Sequence, residues 1–411
     1  MKKSLFRLSL LLLPLSLWAK PLVIHEWGTF TVFQNEQGEA IRGINTDDEP
    51  VPSFVHRAAL GIQKAGAVQG SLQSKGLIAC HPDVTMRLET PIVYFYPPNQ
   101  DQITLDFTVT FPRGLLTEYY PDANVFIPGF NNYRLKPEIC GKLEWKDLHI
   151  GGKEAGPNTD SEVWTTPRAV DAASVTTSKG EKERYLFYRG VAHLNSPLRV
   201  VRNGEHLVIQ SQKNEPLAFP IPTKAWLADL RANGTAAFRE LILDGSPRSG
   251  LATTSANFSP EDYSVENEAR LRQSMTEALI KDGLFPKEAE AMLKTWELSY
   301  FQSAGVRLFY LVPREWTEEH LPLHVSVEAE ITRVMIGRIE IMTPYQRHLL
   351  DVLEKKESAF DAGNIPAAYY LLGRFANALI LDELQKHPTE KLKEFVHTYS
   401  GIVGGQYPVN P

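Results

Sequence analysis

From Pro21 to about Ser255 the chain is a succession of short runs rich in β-branched and aromatic residues, each cut off by proline, glycine or asparagine. The first is Leu22-Val23-Ile24-His25-Glu26-Trp27-Gly28-Thr29-Phe30-Thr31-Val32-Phe33, ending in a turn at Asn35 to Gly38. Similar runs occupy 91–96, 103–111, 185–188, 198–201 and 207–210. Such side chains suit a pleated, half-buried surface, and the residues between them supply turns. Many short strands separated by turns predict mainly antiparallel β-sheets in a sandwich-like arrangement.

The pattern changes at Ser259. Ser259-Pro260-Glu261-Asp262 supplies a capping hydroxyl, a first-turn proline and acids against the positive helix end. Leu271, Met275, Ala278 and Leu279 then share a face, and Gly283 stops the helix. A second helix begins at Pro286, with Ala289, Met292, Leu293, Trp296 and Tyr300 as its buried stripe. Strands return at 306–312 and 325–342. Thr343-Pro344 caps a further helix, followed by one over 366–385 and a last one from about Thr389. The fold class expected is therefore α+β. Residues 20–343 form a β-rich main domain with a helical insertion at about 259–303, and 344–411 form a C-terminal helical unit.

The first nineteen residues are read separately. Lys2, Lys3 and Arg7 precede a stretch from Leu8 to Ala19 that is apolar apart from Ser9 and Ser16, with no acidic residue. That order is a secretory signal peptide, and its apolar part is too short to span a bilayer. The mature chain is expected to begin near Lys20 and to work in the periplasm or outside the cell. Taking Lys2, Lys3 and Arg7 from the 43 basic residues, against 49 acidic ones, moves the formal charge from −6 to −9. A mildly acidic exported chain argues against a nucleic-acid partner, and no later stretch suggests a membrane span. A glycan or an envelope protein is the partner class left open. Cys80 and Cys140 either pair, closing a loop of about sixty residues worth roughly 4 kcal/mol, or are separately buried thiols; their spacing does not decide.

No GxSxG, P-loop, GxGxxG or HExxH motif occurs, and no cofactor is indicated. His25, Glu26, His56, His81, Asp83 and Glu89 are ligand-type residues gathered in the first ninety positions. They could build a dispersed metal site, with His25, His56, His81 and Asp83 as its candidates, or they could be ordinary hydrogen-bonded residues.

Strand alternation isolates a second group. Glu26 falls on the face of Leu22, Ile24, Phe30 and Val32, and Glu89 on that of Val93 and Phe95. Arg338 falls with Val334, Ile336 and Met342, and Arg189 follows an aromatic run. A charge on an apolar strand face must be paired. Glu26 and Glu89 are therefore expected to be buried and paired with arginine, Arg338 and Arg189 being the first choices. The catalytic reading of these four residues makes Glu an acid or base and Arg a clamp for an anion. The preferred reading is a set of bridges that fix sheet packing. Trp27, Trp145, Trp164, Tyr119 and Tyr120 would stack on sugars if exposed and are core residues otherwise.

Several strings resemble a family of exported bacterial proteins common in planctomycetes and related groups. They are Ile24-His25-Glu26-Trp27-Gly28-Thr29-Phe30-Thr31, Arg87 to Tyr96, Phe111 to Pro121, Leu186-Phe187-Tyr188-Arg189-Gly190 and Arg333 to Arg338. The likeness runs to about residue 345 and stops before the C-terminal helical part. Tyr119 stands where the family often has Trp. The family has no assigned activity, so the resemblance implies export and one integrated architecture and carries no residue roles. Two functions follow from the whole reading: an exported binding or envelope-associated protein, or a metal- or carboxylate-dependent hydrolase of extracytoplasmic polymers.

Overall fold

The opening run forms β1 (Leu22–Gln34), which lies in the middle of the largest sheet. The computed structural model describes residues 20–403 except 47–49, 59–72, 76, 101, 129–133, 136, 213–219, 221 and 246–249; the expected leader, residues 1–19, lies outside them. The strands after β1 are β2 (His56–Arg57), β3 (Gln73–Ser74), β4 (Leu77–Ile78), β5 (Met86–Tyr96), β6 (Ile103–Pro112), β7 (Gly114–Tyr120), β8 (Asn124–Phe126), β9 (Cys140–Ile150), β10 (Val175–Thr176) and β11 (Lys182–Glu183). They continue as β12 (Leu186–Ala192), β13 (Leu198–Asn203), β14 (His206–Ser211), β15 (Lys224–Leu230), β16 (Ala236–Ile242), β17 (Ala252–Ser255), β18 (Gly305–Leu311), β19 (Leu323–Val325) and β20 (Ala329–Ile341). The helices are α1 (Glu162–Thr165), α2 (Glu266–Lys281), α3 (Pro286–Thr295), α4 (Arg314–His320), α5 (Pro344–Glu354), α6 (Ala367–Leu371), α7 (Ala376–Lys386), α8 (Glu390–Thr398) and α9 (Ser400–Val403).

The fold is α+β with mainly antiparallel sheets, as the sequence predicts. The largest sheet runs β16-β15-β18-β20-β1-β5-β12-β7-β2, and only β1 with β20 pair parallel in it. Strands from both sides of the helical segment thus share one sheet. Its first face carries Leu22, Ile24, Phe30, Val32, Val93 and Met335, and buries them against Phe107 and Val109 of β6 and Leu143 and Trp145 of β9. Strands β6 and β9 belong to a second sheet of order β11-β10-β9-β6-β19. On the other face, Trp27, Ile92, Phe187, Trp226 and Phe309 pack under Leu271 and Met275 of α2, Met292 of α3 and Trp296 just after it. Farther along that face, Phe33, Leu115 and Val191 meet the C-terminal helices through Leu350, Phe375, Leu379 and Phe395.

The helix expected over 366–385 is broken into α6 and α7. The break contains Gly373, at φ +82°, a conformation that a residue with a Cβ rarely adopts. Strand β15, the edge strand β16 and the long β9 were not anticipated. Cys80 and Cys140 are free thiols, and burial pushes the Cys80 thiol up to about 12.

Candidate functional site

Two strand irregularities place the charged residues. Between β1 and β5 the register passes from Trp27 opposite Ile92 to Thr29 opposite Glu89, so β5 carries one extra residue there. Thr90, at φ +43°, lies in this bulge. Between β12 and β7, Arg189 faces Glu118 while the next residue, Gly190, faces Leu116, which leaves Thr117 as the extra residue. A bulge inverts the side-chain alternation beyond it. Leu88 and Val93 consequently share the inter-sheet face although they are five residues apart, as do Leu116 and Tyr119 three apart. Glu89 therefore does not share the face of Val93 and Phe95. It points to the opposite, helix-covered face, and Glu118 does the same.

On that face the charges form a ladder across the sheet. The Glu89 carboxylate accepts from Arg87 Nη2 at 2.8 Å and from Lys75 Nζ at 3.4 Å, and it lies 3.4 Å from Arg338 Nη2. Arg338 Nε is also 3.3 Å from Glu340, which pairs with Arg374 and lies 3.5 Å from Arg307 Nε. On the other side, Arg189 donates to Glu118, which also accepts from Arg57 Nε at 3.0 Å. Burial raises the Glu89 carboxyl, but Arg87, Lys75 and Arg338 outweigh it and hold the group well below the usual carboxylate range. Glu118 is lowered in the same way, with Arg189 the main cation opposing the effect of burial.

Glu26 belongs to the inter-sheet face, where Arg333 Nε sits 2.5 Å from its Oε2 and the Tyr188 hydroxyl donates to its Oε1. Both expected carboxylates are buried and arginine-paired, but with a different assignment. Arg338 serves Glu89 and Glu340 and not Glu26, because Glu26 and Arg338 lie on opposite faces of the sheet. Arg189 serves Glu118, its direct cross-strand neighbour. Glu118, Arg333, Arg87 and Lys75 were missed as partners. Arg333 could have been found from alternation, since it shares a face with Met335 and Ile339.

The four metal candidates do not converge on one point, and only His81 and Asp83 touch each other. His25 Nδ1 is 2.7 Å from Glu288 Oε2, and the Glu288 carboxylate also accepts from the Tyr96 hydroxyl at 2.6 Å and from Phe285 N–H at 2.7 Å. His56 Nε2 is 2.9 Å from Glu181 and stacks on Tyr119 and Tyr120. Asp83 accepts from Arg134 Nε at 2.7 Å and from Leu135 N–H at 3.0 Å. His81 Nδ1 accepts from Asp83 N–H at 3.2 Å, and its own N–H donates to Asn45. Among the described residues no group of three His, Cys, Asp or Glu side chains is placed to hold a metal ion. Trp27, Trp145, Trp164, Tyr119 and Tyr120 are all buried, so none offers a free ring face to a sugar.

Arg189 borders a small enclosed cavity with Thr90 and Trp164, and a larger open concavity lies elsewhere. A groove of about 750 Å³ runs between the edge strand β16 and α2, lined by Lys224, Phe238, Glu240, Asn267, Arg270 and Glu277 among others. None of the four catalytic candidates or four metal candidates borders it.

No protein-family model matches this sequence, and no curated protein matches it. Among solved structures, the chain is similar to the Fcho1 Mu homology domain of Danio rerio with bound Eps15 peptide, at 7% identity and a TM-score of 0.28. That alignment covers 79% of this chain and 96% of the other, and at this score it carries no argument.

Proposed function

We propose that the chain is an exported binding protein whose partner belongs to the extracytoplasmic space. Export rests on the basic, apolar, small-residue order of residues 1–19. The observation that carries the binding reading is the separation of charge from concavity. Glu26 and Glu89 lie on opposite sheet faces, each sealed from solvent against arginine, whereas the groove between β16 and α2 is open and holds neither. A carboxylate pair for hydrolysis needs both groups on one substrate. The buried ladder instead holds the β-sheet and its helices in register. Among the described residues no helix is long and apolar enough to cross a membrane.

The test mixes the mature chain with purified peptidoglycan sacculi and, separately, with a soluble extract of envelope proteins. Saturable retention without release of soluble fragments is the expected result. Fragment release that disappears in a Glu89→Gln variant of parental melting temperature would favour the hydrolase.

A further inference from the structure

Strand β16 is an edge of the nine-stranded sheet, and the parity of its hydrogen bonds can be read from its ends. Leu243 N–H bonds to Thr223 and Arg231 N–H to Thr235, so odd-numbered residues of β16 face β15. Ala236, an even-numbered residue, exchanges two bonds of 3.0 Å with Ser264 on the outer side. Ser264 is thus one rung of a tenth strand, antiparallel to β16, which the chain joins only at Ser264 as it comes out of the 3-10 turn at Pro260–Asp262. The outward N–H groups of Phe238, Glu240 and Ile242 have no partner among the described residues. Ile242 is 71% exposed, so nothing described covers the end of this edge.

Helix α2 runs beside the strand in the same direction. Asn267 Nδ2 donates to Ala236 O at 2.9 Å near its start, and Ser274 donates to Glu240 two turns later. Arg270 therefore flanks the early part of the strand and Glu277 the late part, both lining the groove. We propose that this groove takes an extended polypeptide that adds to β16 as an antiparallel strand, continuing the line begun at Ser264. Main-chain bonds to Phe238, Glu240 and Ile242 supply affinity. Side chains on alternate positions of the added strand meet α2 and supply selectivity. Antiparallel pairing places the C-terminal half of the guest beside Arg270, Glu261 and Asp262 and its N-terminal half beside Glu277, Glu240 and Lys224, so the favoured guest is basic toward its N-terminal end.

The inference rests on the binding reading and names its partner class. The probe is a fluorescent, end-blocked eight-residue peptide of alternating Thr and Val, with Lys replacing the second residue, read by anisotropy against the mature chain. Saturable binding is expected. N-methylation of the alternate amides that face β16 should weaken it at least tenfold, and N-methylation of the other set should leave it within about twofold. Ile242→Pro, which removes an outward N–H and no bond to β15, should also weaken binding at least tenfold at an unchanged melting temperature. Glu277→Lys should lower the preference for this peptide over one with Asp at its second residue. No saturable binding, or equal loss from both methylation patterns, overturns the inference. So does a dimer of the parent chain that dissociates in Ile242→Pro, since the edge would then be closed by a second copy. Retention on sacculi with no peptide binding would leave the binding reading standing and remove only strand addition.

Discussion

Glu26 and Arg333 stand directly opposite each other in the only parallel pairing of the large sheet, their side chains 2.5 Å apart between two packed sheets. Neither is more than 6% exposed, and Arg333 Nη2 has no hydrogen-bond partner among the described residues. Coulomb attraction here opposes a large desolvation cost, so the pair specifies alignment more than it adds stability. Glu26→Ala is expected to cost about 3–5 kcal/mol, because it strands a buried guanidinium and removes the acceptor of the Tyr188 hydroxyl. The double variant Glu26→Leu with Arg333→Met should recover most of that loss in urea unfolding. Equal loss in the single and double variants would contradict the account.

Acid should weaken the fold through Glu89 and Glu118. Both carboxyls are lowered in the folded state, so their contribution is present above the unfolded value of about 4.3 and is lost as pH falls through the folded values. Stability from urea titrations should be flat in this respect above about pH 5 and decline progressively below about pH 4. In Glu89→Gln the acid-limb slope should be shallower than in the parent.

How much of this was legible follows from where alternation holds. Strand β1 and strand β20 keep a strict two-residue period, so the faces of Glu26 and Arg338 could be read from sequence. Glu89 was assigned to the wrong face because the bulge at Thr90 inserts a residue; Pro91, which cannot donate to a ladder and sits in central strands only at bulges, was the available signal. Glu118 was hidden for the same reason at Thr117. The partners Glu288 and Arg333 are 263 and 307 residues from His25 and Glu26, and no local signal encodes such pairings. Strand β16 reads weakly because Ala236, Ala237, Arg239 and Glu240 interrupt its apolar character.

Gly190 lies where β12 crosses the bulge of β7, and a Cβ on it would stand 2.0 Å from the Leu115 carbonyl oxygen. Backbone cannot yield as a flexible side chain can. Gly190→Ala is expected to destabilise by about 3 kcal/mol or more, at the upper end of overpacking. A thermal melt within a degree of the parent would show that the β7–β12 geometry is different.

Glu288 ties α3 to β1 and β5 through His25 and Tyr96. Glu288→Ala should loosen the helical layer before the sheet, because it removes three hydrogen bonds to one fully buried carboxylate. Hydrogen exchange should show faster amides in 286–295 with little change in β1. Uniform acceleration would mean that the helices and sheet open together.

The central claim is that Glu89 is a structural counter-ion for Arg87, Lys75 and Arg338. Calorimetry of Glu89→Gln, paired with elemental analysis and mass spectrometry of the native parent and variant, tests it most directly. The account predicts a melting temperature lowered by several degrees, with no stoichiometric ion or small molecule lost from the protein. A melt within a degree or two of the parent, accompanied by loss of a bound species, would contradict it.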